Sequence, residues 1–441
     1  TSPRGKRKGR WNSRKRVLPY LVGDNNMKVL LSAILVGLVL AGCATTPSDS
    51  GAQGSTPDAT STAGQTRDAG PSASRYYVDA VNSWDDAERA ISLLDEAIAI
   101  DPDFALAYFE RANRNRKLGR DRAALEDLTA AIDADPGFLQ AYRARYDLRV
   151  HRFGEQEGIE DLQRAYAIDP DHLDTALTYA NHLAWKEPSQ AIGIYDRLVS
   201  VYPDESAPYL SRAKFHRDRG AYGRALEDLR QAVRAGDRSG WVRADLIWMQ
   251  VATGRREEAR SSAGQLLAEE PEAKEAALVA ARVAALDGES DRALRLYERY
   301  FAGEWTDPTV WLEVAVVAAA TGDADGAGRA LEQYRAQKDD RDRAQTAQLA
   351  TMALLGQRER ALGGLEAMTG SVDWYLGPWV VRSLVEQGEQ AQTVRSSLRE
   401  IAAERDGGLA QVLVTAPEVW IFSRLYLAQR GVEDLPGLEI P

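Results

Sequence analysis

The pattern of hydrophobic and polar positions divides the chain into four parts. Residues 1–26 are rich in basic side chains, residues 29–40 form an apolar run, and residues 44–74 are small and polar. From about residue 75 onward, apolar and small residues recur three and four positions apart, which places them on one face of an α-helix. No stretch shows the regular alternation that is typical of a half-buried strand. The pattern therefore predicts an all-α domain that begins near residue 75.

The helical part repeats with a period of 34 residues. Asp-Pro occurs at residues 101–102, 135–136 and 169–170. Because proline cannot continue a helix, each Asp-Pro is expected to end one unit. Small residues and leucines precede each proline at fixed distances and would allow the two helices of a unit to cross closely. These positions are Ala90, Ala124 and Gly158, then Leu94, Leu128 and Leu162, then Ala97, Ala131 and Ala165.

These residues and their spacing resemble the tetratricopeptide repeat, a unit of two helices and 34 residues. The match is good over 75–236, whereas 237–441 is similar to diverged repeats followed by an apolar stretch, 412–427, that is expected to cap the stack. The resemblance implies a right-handed superhelical solenoid of about ten helix pairs. It also implies a concave groove lined by the first helix of each pair, which is the usual binding surface of such arrays.

The resemblance implies which side chains face that groove. Asn113 and Asn181 fall where some members of the family hold a peptide C-terminus, although the full clamp pattern is absent. Two interpretations stay open: these side chains are only solvated, or they bind an extended or acidic peptide through charge-assisted hydrogen bonds. The candidates are Phe109, Asn113, Arg116, Lys117, Arg143, Asp147, His151, Asn181, Trp185, Lys214, Arg217 and Trp241.

Tryptophans concentrate in the second half of the chain. Trp241 occupies a groove position, and Trp248 lies seven residues later on the same helical face, which makes it a further candidate. Most of these tryptophans are expected to pack in the core. The alternative is that Trp241 and Trp248 stack on sugars, which would make the protein a subunit that binds a glycan or a peptidoglycan fragment.

The N-terminal part has the layout of an export signal. The apolar run is about 12 residues long, shorter than the ~20 residues that a membrane-spanning helix needs, and it follows a positive segment and precedes small residues. Residues Leu40, Ala41, Gly42 and Cys43 resemble the lipobox of bacterial lipoproteins. The resemblance implies cleavage before Cys43 and attachment of a diacylglycerol to its thiol. The alternative is a chance cysteine behind an ordinary signal peptide.

Several expectations follow for the N-terminal region. Residues 27–42 would be the lipoprotein signal peptide, with Met27 as the true start and residues 1–26 an upstream extension called in error. Residues 43–74 would be the lipidated cysteine and a disordered linker, because they hold too few large apolar residues to fold. Ala44, where an Asp would indicate retention in the inner membrane, favours the outer membrane with the repeats facing the periplasm.

Composition and charge narrow the chemistry. The chain of 441 residues has a net charge of −11, four histidines and a single cysteine. One cysteine excludes an intramolecular disulfide, a cysteine-rich zinc site and an iron–sulfur cluster. The acidic balance argues against nucleic-acid binding. Loss of residues 1–42 would remove nine Lys or Arg and one Asp, which leaves a net charge of −19.

No motif of a catalytic site is present in the sequence. There is no His-Glu-x-x-His, no Gly-x-Ser-x-Gly and no phosphate-binding loop. Residues 323–326 resemble the start of a calcium loop but lack its closing glutamate, so a turn is expected. We therefore expect no enzyme, no metal and no cofactor other than acyl chains on Cys43. The expected role is a membrane-anchored periplasmic scaffold that binds envelope proteins or peptides and aids the assembly or regulation of an envelope complex.

Overall fold

The computed structural model describes residues 72–369, 376–403 and 413–432, and all regular secondary structure in these ranges is α-helical. The all-α prediction is confirmed. The predicted signal peptide, Cys43 and the linker up to residue 71 lie outside the described residues. Ser72 caps the first helix, which begins two residues before the expected boundary. The helices are α1 (Ala73–Asn82), α2 (Ala87–Ile100), α3 (Ala105–Lys117), α4 (Asp121–Ala134), α5 (Leu139–Phe153), α6 (Glu155–Ile168), α7 (Leu173–Lys186), α8 (Pro188–Val201), α9 (Ser206–Arg217), α10 (Tyr222–Arg234), α11 (Gly240–Ala252), α12 (Arg256–Glu269), α13 (Lys274–Leu286), α14 (Ser290–Phe301), α15 (Val310–Ala320), α16 (Ala324–Gln337), α17 (Arg341–Leu354), α18 (Arg358–Thr369), α19 (Gly377–Val385), α20 (Glu389–Ala403) and α21 (Pro417–Ala428).

Consecutive helices pack as pairs, from α1 with α2 to α19 with α20. In each pair we call the first helix A and the second helix B. Glycines with a positive φ between 74° and 86° follow the A helices of pairs 6 to 9, at Gly254, Gly288, Gly322 and Gly356, which are spaced by 34 residues. Glycine adopts this left-handed conformation without a steric penalty and ends the helix. The chain is a solenoid of tetratricopeptide type, as the period predicted.

The A helices form the concave side of the solenoid. Neighbouring A helices contact one another, for example α7 with α9, α11 with α13 and α15 with α17. Each A helix also packs on the B helices before and after it, so the B helices form the outer layer. Neighbouring A helices therefore lie closer together than neighbouring B helices do, as expected for the inner face of a curved array.

The predicted small and leucine positions lie at the helix crossings. Ala90, Ala124, Leu94 and Leu128 are all fully buried. Gly158 replaces alanine at the third crossing, where a Cβ atom would lie 2.8 Å from Cδ2 of Tyr146. The close approach that the small residues permit is thus present at each of these crossings.

The Asp-Pro dipeptides end the B helices of helix pairs 1 to 3. The C-cap residues of α2, α4 and α6 are Asp101, Asp135 and Asp169. Each carboxylate accepts a hydrogen bond from the N–H two residues later, at 2.9 to 3.2 Å. The aspartate therefore stabilises the turn into the next pair, while the proline prevents the helix from continuing.

An arginine in the A helix joins neighbouring pairs, which the sequence alone did not indicate. Arg111 donates to Asp127 of its own pair and to Asp95 of the preceding pair, both at 2.6 Å. Asp127 is buried, so its contact with Arg111 is shielded from water, whereas the contact with Asp95, which joins the two pairs, is exposed to solvent. The arrangement recurs at Arg145 with Thr129 and Asp161, and at Arg212 with Asp196 and Asp228.

The C-terminal helix α21 lies on the concave side instead of at the end of the stack, where a cap was expected. It packs against α13, α15, α17 and α19, the A helices of pairs 7 to 10. Ten of its twelve residues are buried. The physical reason is that α13 and α15 are apolar on both faces, so one face packs on B helices and the other needs a second partner.

Candidate functional site

The open part of the groove is formed by α3, α5, α7 and α9, the A helices of pairs 2 to 5. We call it the proximal groove, and its members are the predicted residues on these four helices. Most of them are accessible to solvent. Arg116, Lys117, Asp147, His151, Asn181, Trp185 and Lys214 are exposed, and Phe109, Asn113, Arg143 and Arg217 are partly exposed.

Positive charges and carboxylates lie side by side on α3 and α5. Partial burial raises the pKa of Asp147 above its usual 3.8, and the positive charges of Arg143 and Arg116 oppose that shift. Burial likewise raises the pKa of Glu110, and the positive charges of Arg114 and Lys117 oppose that shift. Glu110 and Arg143 are partly removed from water, so their interactions with a charged ligand would be stronger than those of fully exposed side chains.

Asn181 is oriented by a buried tyrosine. The Tyr195 hydroxyl donates to Oδ1 of Asn181 at 2.6 Å, and burial raises the Tyr195 pKa, which keeps that hydroxyl protonated. This contact uses the amide oxygen of Asn181 and leaves its NH₂ group as the donor toward the groove. Next to it, Trp185 is 67% exposed, and the Arg219 guanidinium lies 5.4 Å from its ring.

The cations on α9 already have partners within the chain. Lys214 Nζ lies 2.7 Å from the Asp218 carboxylate, and Arg217 lies 2.6 Å from that of Asp245. Their charge is therefore partly neutralised before any ligand arrives.

The two candidate tryptophans of α11 do not share one surface. Trp241 is 42% exposed, whereas Trp248 is 7% exposed because α21 covers it. The Trp248 indole N–H donates to the Val414 carbonyl at 3.3 Å, and its ring lies 5.1 Å from that of Trp420. The aromatic platform on which the glycan interpretation rests is thus absent from this conformation, and Trp248 packs in the core.

The groove of pairs 7 to 10, which we call the distal groove, holds a segment of its own chain through an arginine–carboxylate pair. Arg343 of α17 contacts both carboxylate oxygens of Glu418 in α21, at 2.5 and 2.8 Å. Glu418 is 1% exposed. The sequence analysis did not predict that α21 lies in the distal groove. The feature of the sequence that indicates a covering segment is the lack of a polar face in α13 and α15, where nine of 13 and eight of 11 residues are buried.

A second buried polar cluster lies in the distal half and has a structural role. Arg282 contacts Glu313 at 2.7 Å, and the Tyr297 hydroxyl donates to the other carboxylate oxygen at 2.9 Å. Both oxygens of the carboxylate have donors, which is what a buried charge requires for stability.

The part of the chain that the structure describes holds no group of three or more His, Cys, Asp or Glu side chains placed to bind a metal ion. Asp323 of the calcium-like stretch accepts from the Gly326 N–H at 2.8 Å and caps α16. Within the same ranges, no helix is both long and apolar enough to cross a membrane.

Comparisons with known proteins recognise the repeat family in part of the chain. Residues 162–338 match the family model described as Tetratricopeptide repeat, and this match crosses the boundary drawn at residue 236. Such repeats generally act as protein–protein interaction scaffolds without catalysis. A search of curated protein sequences finds no significant match.

Several solved structures are similar to parts of the solenoid. A tetratricopeptide repeat protein from Parabacteroides merdae is 13% identical, with 58% of this chain and 98% of that chain covered and a TM-score of 0.39. YrrB, described as a TPR protein with an unusual peptide-binding site, is 17% identical, with 41% of this chain and 93% of that chain covered and a TM-score of 0.32. Yeast Tom70 is 10% identical, with 81% of this chain and 88% of that chain covered and a TM-score of 0.36. Each TM-score lies below 0.5, so these likenesses support no particular function.

Proposed function

We propose that this protein is a membrane-anchored scaffold that binds an extended, acidic segment of a partner protein in the proximal groove. Tetratricopeptide repeats present broad preformed surfaces and no reactive groups, which suits binding more than catalysis. The partner would belong to an envelope complex whose assembly or regulation the scaffold aids.

The observation that carries the proposal is the occupancy of the distal groove by α21. There the A helices hold a polypeptide segment, with the carboxylate of Glu418 fixed by Arg343. The A helices of pairs 2 to 5 also line the concave side, where Arg116 is exposed and Arg143 is partly exposed and lies 3.6 Å from the Asp174 carboxylate. A carboxylate of a partner would therefore find the same kind of charge-assisted contact in the proximal groove.

The membrane anchor rests on the N-terminal sequence. A short apolar run that ends in Leu40, Ala41, Gly42 and Cys43 supports processing as a lipoprotein, with acyl chains on Cys43 as the anchor. Mass spectrometry of the mature protein tests this: we expect a chain that begins at an acylated Cys43 and that is lost in Cys43→Ser. A mature chain with an unmodified cysteine would contradict the anchor, and a precursor that begins upstream of Met27 would contradict the assigned start.

Crosslinking in cells tests the groove. A photoreactive residue at Asn113 or His151 should form adducts with partner proteins, and the charge reversal Arg116→Glu with Arg143→Glu should abolish them. The matched control reverses the same amount of charge on exposed B-helix positions, Arg89→Glu with Arg164→Glu, and should leave the adducts unchanged.

Two results would overturn the binding proposal. One is a set of protein adducts that survives the double reversal in the groove. The other is the recovery of muropeptides in place of protein adducts, which would support the glycan-binding alternative. Adduct yield should also fall as salt rises, because the contacts are electrostatic.

A further inference from the structure

Two clefts on the outer face of the solenoid occupy equivalent positions of the repeat. Each lies between the B helices of two consecutive pairs and above the A helix that separates them. The first is formed by α8, α9 and α10 in pairs 4 and 5, and the second by α14, α15 and α16 in pairs 7 and 8. Each residue that lines the first cleft has a counterpart in the second, three repeat periods later. We call the second one the outer cleft.

The outer cleft is the larger of the two because small side chains replace large polar ones. Its volume is about 710 Å³, compared with about 320 Å³ for the cleft of pairs 4 and 5. Four of the replaced positions account for this difference. The first cleft has Arg212, His216, Arg224 and Asp228 there, and the outer cleft has Val314, Ala318, Gly326 and Ala330.

In the cleft of pairs 4 and 5, the arginine that joins neighbouring pairs occupies this space. Arg212 contacts the buried carboxylate of Asp228 at 2.7 Å and the exposed carboxylate of Asp196 at 2.8 Å. The corresponding arginines of pairs 2 and 3, Arg111 and Arg145, also lie 5.5 and 5.8 Å from a tyrosine ring three positions earlier in the same helix. The repeat thus holds a guanidinium against an aromatic ring and a carboxylate.

The outer cleft keeps both of these features but lacks the arginine. Glu298 stands at the position of Asp196, is exposed, and forms no ion pair with any residue that the structure describes. Trp311 stands three positions before Val314, where pairs 2 and 3 have the tyrosine, and its ring stacks on that of Phe301 at 3.8 Å. The carboxylate and the aromatic ring therefore line a space that pair 5 fills with its own side chain.

The other charged side chains of the outer cleft nearly balance one another. Arg329 lies 3.9 Å from the carboxylate of Asp323, and both side chains are exposed. Glu298 therefore leaves the cleft with a net negative charge, which favours a cationic occupant over an apolar one.

We propose that the outer cleft binds an arginine side chain of a partner protein, in the place where pair 5 holds Arg212. The guanidinium would contact the Glu298 carboxylate and the Trp311 ring, which attracts a cation more strongly than tyrosine does. Its methylene stem would lie along Val314 and Ala330. The site lies on the outer face, apart from the proximal groove, and does not depend on the proposed function.

Three pentapeptides test this inference with the full 441-residue chain in nonionic detergent. Each is acetylated and amidated, and carries arginine, citrulline or leucine between two pairs of alanines. Citrulline has the shape of arginine without its charge, and leucine tests for an apolar occupant. The chain is labelled with 5-fluorotryptophan, and the variant Trp311→Phe identifies the fluorine resonance of Trp311.

We expect the arginine peptide to shift the Trp311 resonance and to bind roughly tenfold more tightly than the citrulline peptide, because hydrogen bonds between two charged groups are stronger. The leucine peptide should bind more weakly than the arginine peptide. In Glu298→Gln the arginine and citrulline peptides should bind about equally. The matched control is Glu332→Gln, which removes an exposed charge of α16 outside the cleft and should keep the preference.

A double variant restores the arginine of the repeat. Val314→Arg with Ala330→Asp reproduces the pair that Arg212 and Asp228 form in pair 5. Circular dichroism and thermal unfolding should show a retained fold, and the arginine peptide should no longer bind, because the guanidinium of the chain itself fills the cleft.

Other outcomes overturn the inference. These are an arginine peptide that leaves the Trp311 resonance unchanged up to about 10 mM, equal binding of the arginine and citrulline peptides, and tightest binding of the leucine peptide. A preference for arginine that survives Glu298→Gln, or binding that survives in the folded double variant, would contradict it as well. Crosslinks from the proximal groove report on the proposed function separately.

Discussion

At the residue scale, small side chains at the helix crossings decide how closely A and B helices approach. Gly158 shows the constraint most clearly, since a Cβ atom there would lie 3.0 Å from the Tyr146 carbonyl oxygen as well as 2.8 Å from its ring. The backbone oxygen cannot move aside as the end of a flexible side chain does. Glycine at this position is therefore required by packing between α5 and α6.

Gly158→Ala is expected to lower the free energy of unfolding by about 1–3 kcal/mol, because an extra methyl group overpacks the crossing. Denaturant unfolding followed by circular dichroism measures the change. Gly193 is the matched control, since it lies in the interior of α8, where an added Cβ atom would meet open space. Gly193→Ala should stabilise by up to about 1 kcal/mol through helix propensity. Equal effects of the two substitutions would contradict the packing argument.

A histidine makes stability depend on pH. His216 is buried, and burial lowers its pKa below the usual 6.5, while Asp228, 3.9 Å away, opposes that shift. As the pH falls below about 6.5, the unfolded chain takes up a proton at His216 before the folded chain does, so the free energy of unfolding decreases.

The chain itself supplies the substitution that tests this. Asn115 occupies the equivalent position of pair 2, where it donates to Asp127 at 3.0 Å. His216→Asn is therefore expected to keep the contact with Asp228 and to flatten the loss of stability between pH 7 and pH 5, the range around the ordinary histidine pKa. Thermal unfolding at a series of pH values measures it. An unchanged pH profile would show that other groups dominate.

At the element scale, the A helices differ between the two halves in what covers their concave face. In α3, four of 13 residues are buried, whereas in α13 nine of 13 are. The apolar concave face of the distal A helices is matched by α21, which is itself apolar on nearly every side. A helix with this composition needs partners all round it.

The buried pair of Arg343 and Glu418 anchors α21. Arg343→Gln is expected to cost about 3–5 kcal/mol, because it leaves the buried Glu418 carboxylate uncompensated, and Glu418→Gln should cost less, because Arg343 is partly exposed. The double replacement of both residues by methionine should cost less than either single change, since it removes the two charges together. Denaturant unfolding measures all three. Single variants as stable as the unmodified chain would show that the pair does not hold α21.

At the scale of the whole molecule, the solenoid is open in one half and closed in the other. Pairs 2 to 5 contact mainly their neighbours, as in other repeat arrays. Pairs 7 to 10 all contact one further element, α21, which joins four A helices that are distant in sequence. The distal half therefore has non-local contacts that the proximal half lacks.

This difference predicts two patterns of hydrogen exchange. Amides of α13, α15, α17 and α21 should exchange with similar protection, because loss of α21 affects all of them together. Protection in α3 to α9 should instead decrease toward the N-terminal pairs, which fray independently. Mass-spectrometric hydrogen exchange measures both. Protection that decreases smoothly along the whole chain would contradict a closed distal unit.

The candidate site was only partly predictable from the sequence. The repeat register predicted groove-facing positions on α3, α5, α7 and α9, and most of these side chains are accessible to solvent. It did not indicate that Lys214 and Arg217 are paired within the chain, or that Trp248 is covered. Pairing and burial depend on side chains from other elements, such as Asp245 of α11.

The sequence by itself determined the features that depend on near neighbours. The 34-residue period, the ends of the B helices at Asp-Pro and the small residues at the crossings all arise from contacts within a pair or between adjacent pairs. Only the tertiary structure decided which part of the groove is open. The contact from Trp248 to Val414 spans 166 residues, and that from Arg343 to Glu418 spans 75. The local hydrophobic pattern predicts that one face of a helix is apolar. Which segment covers that face depends on how the whole chain curves, because the covering segment is distant in sequence.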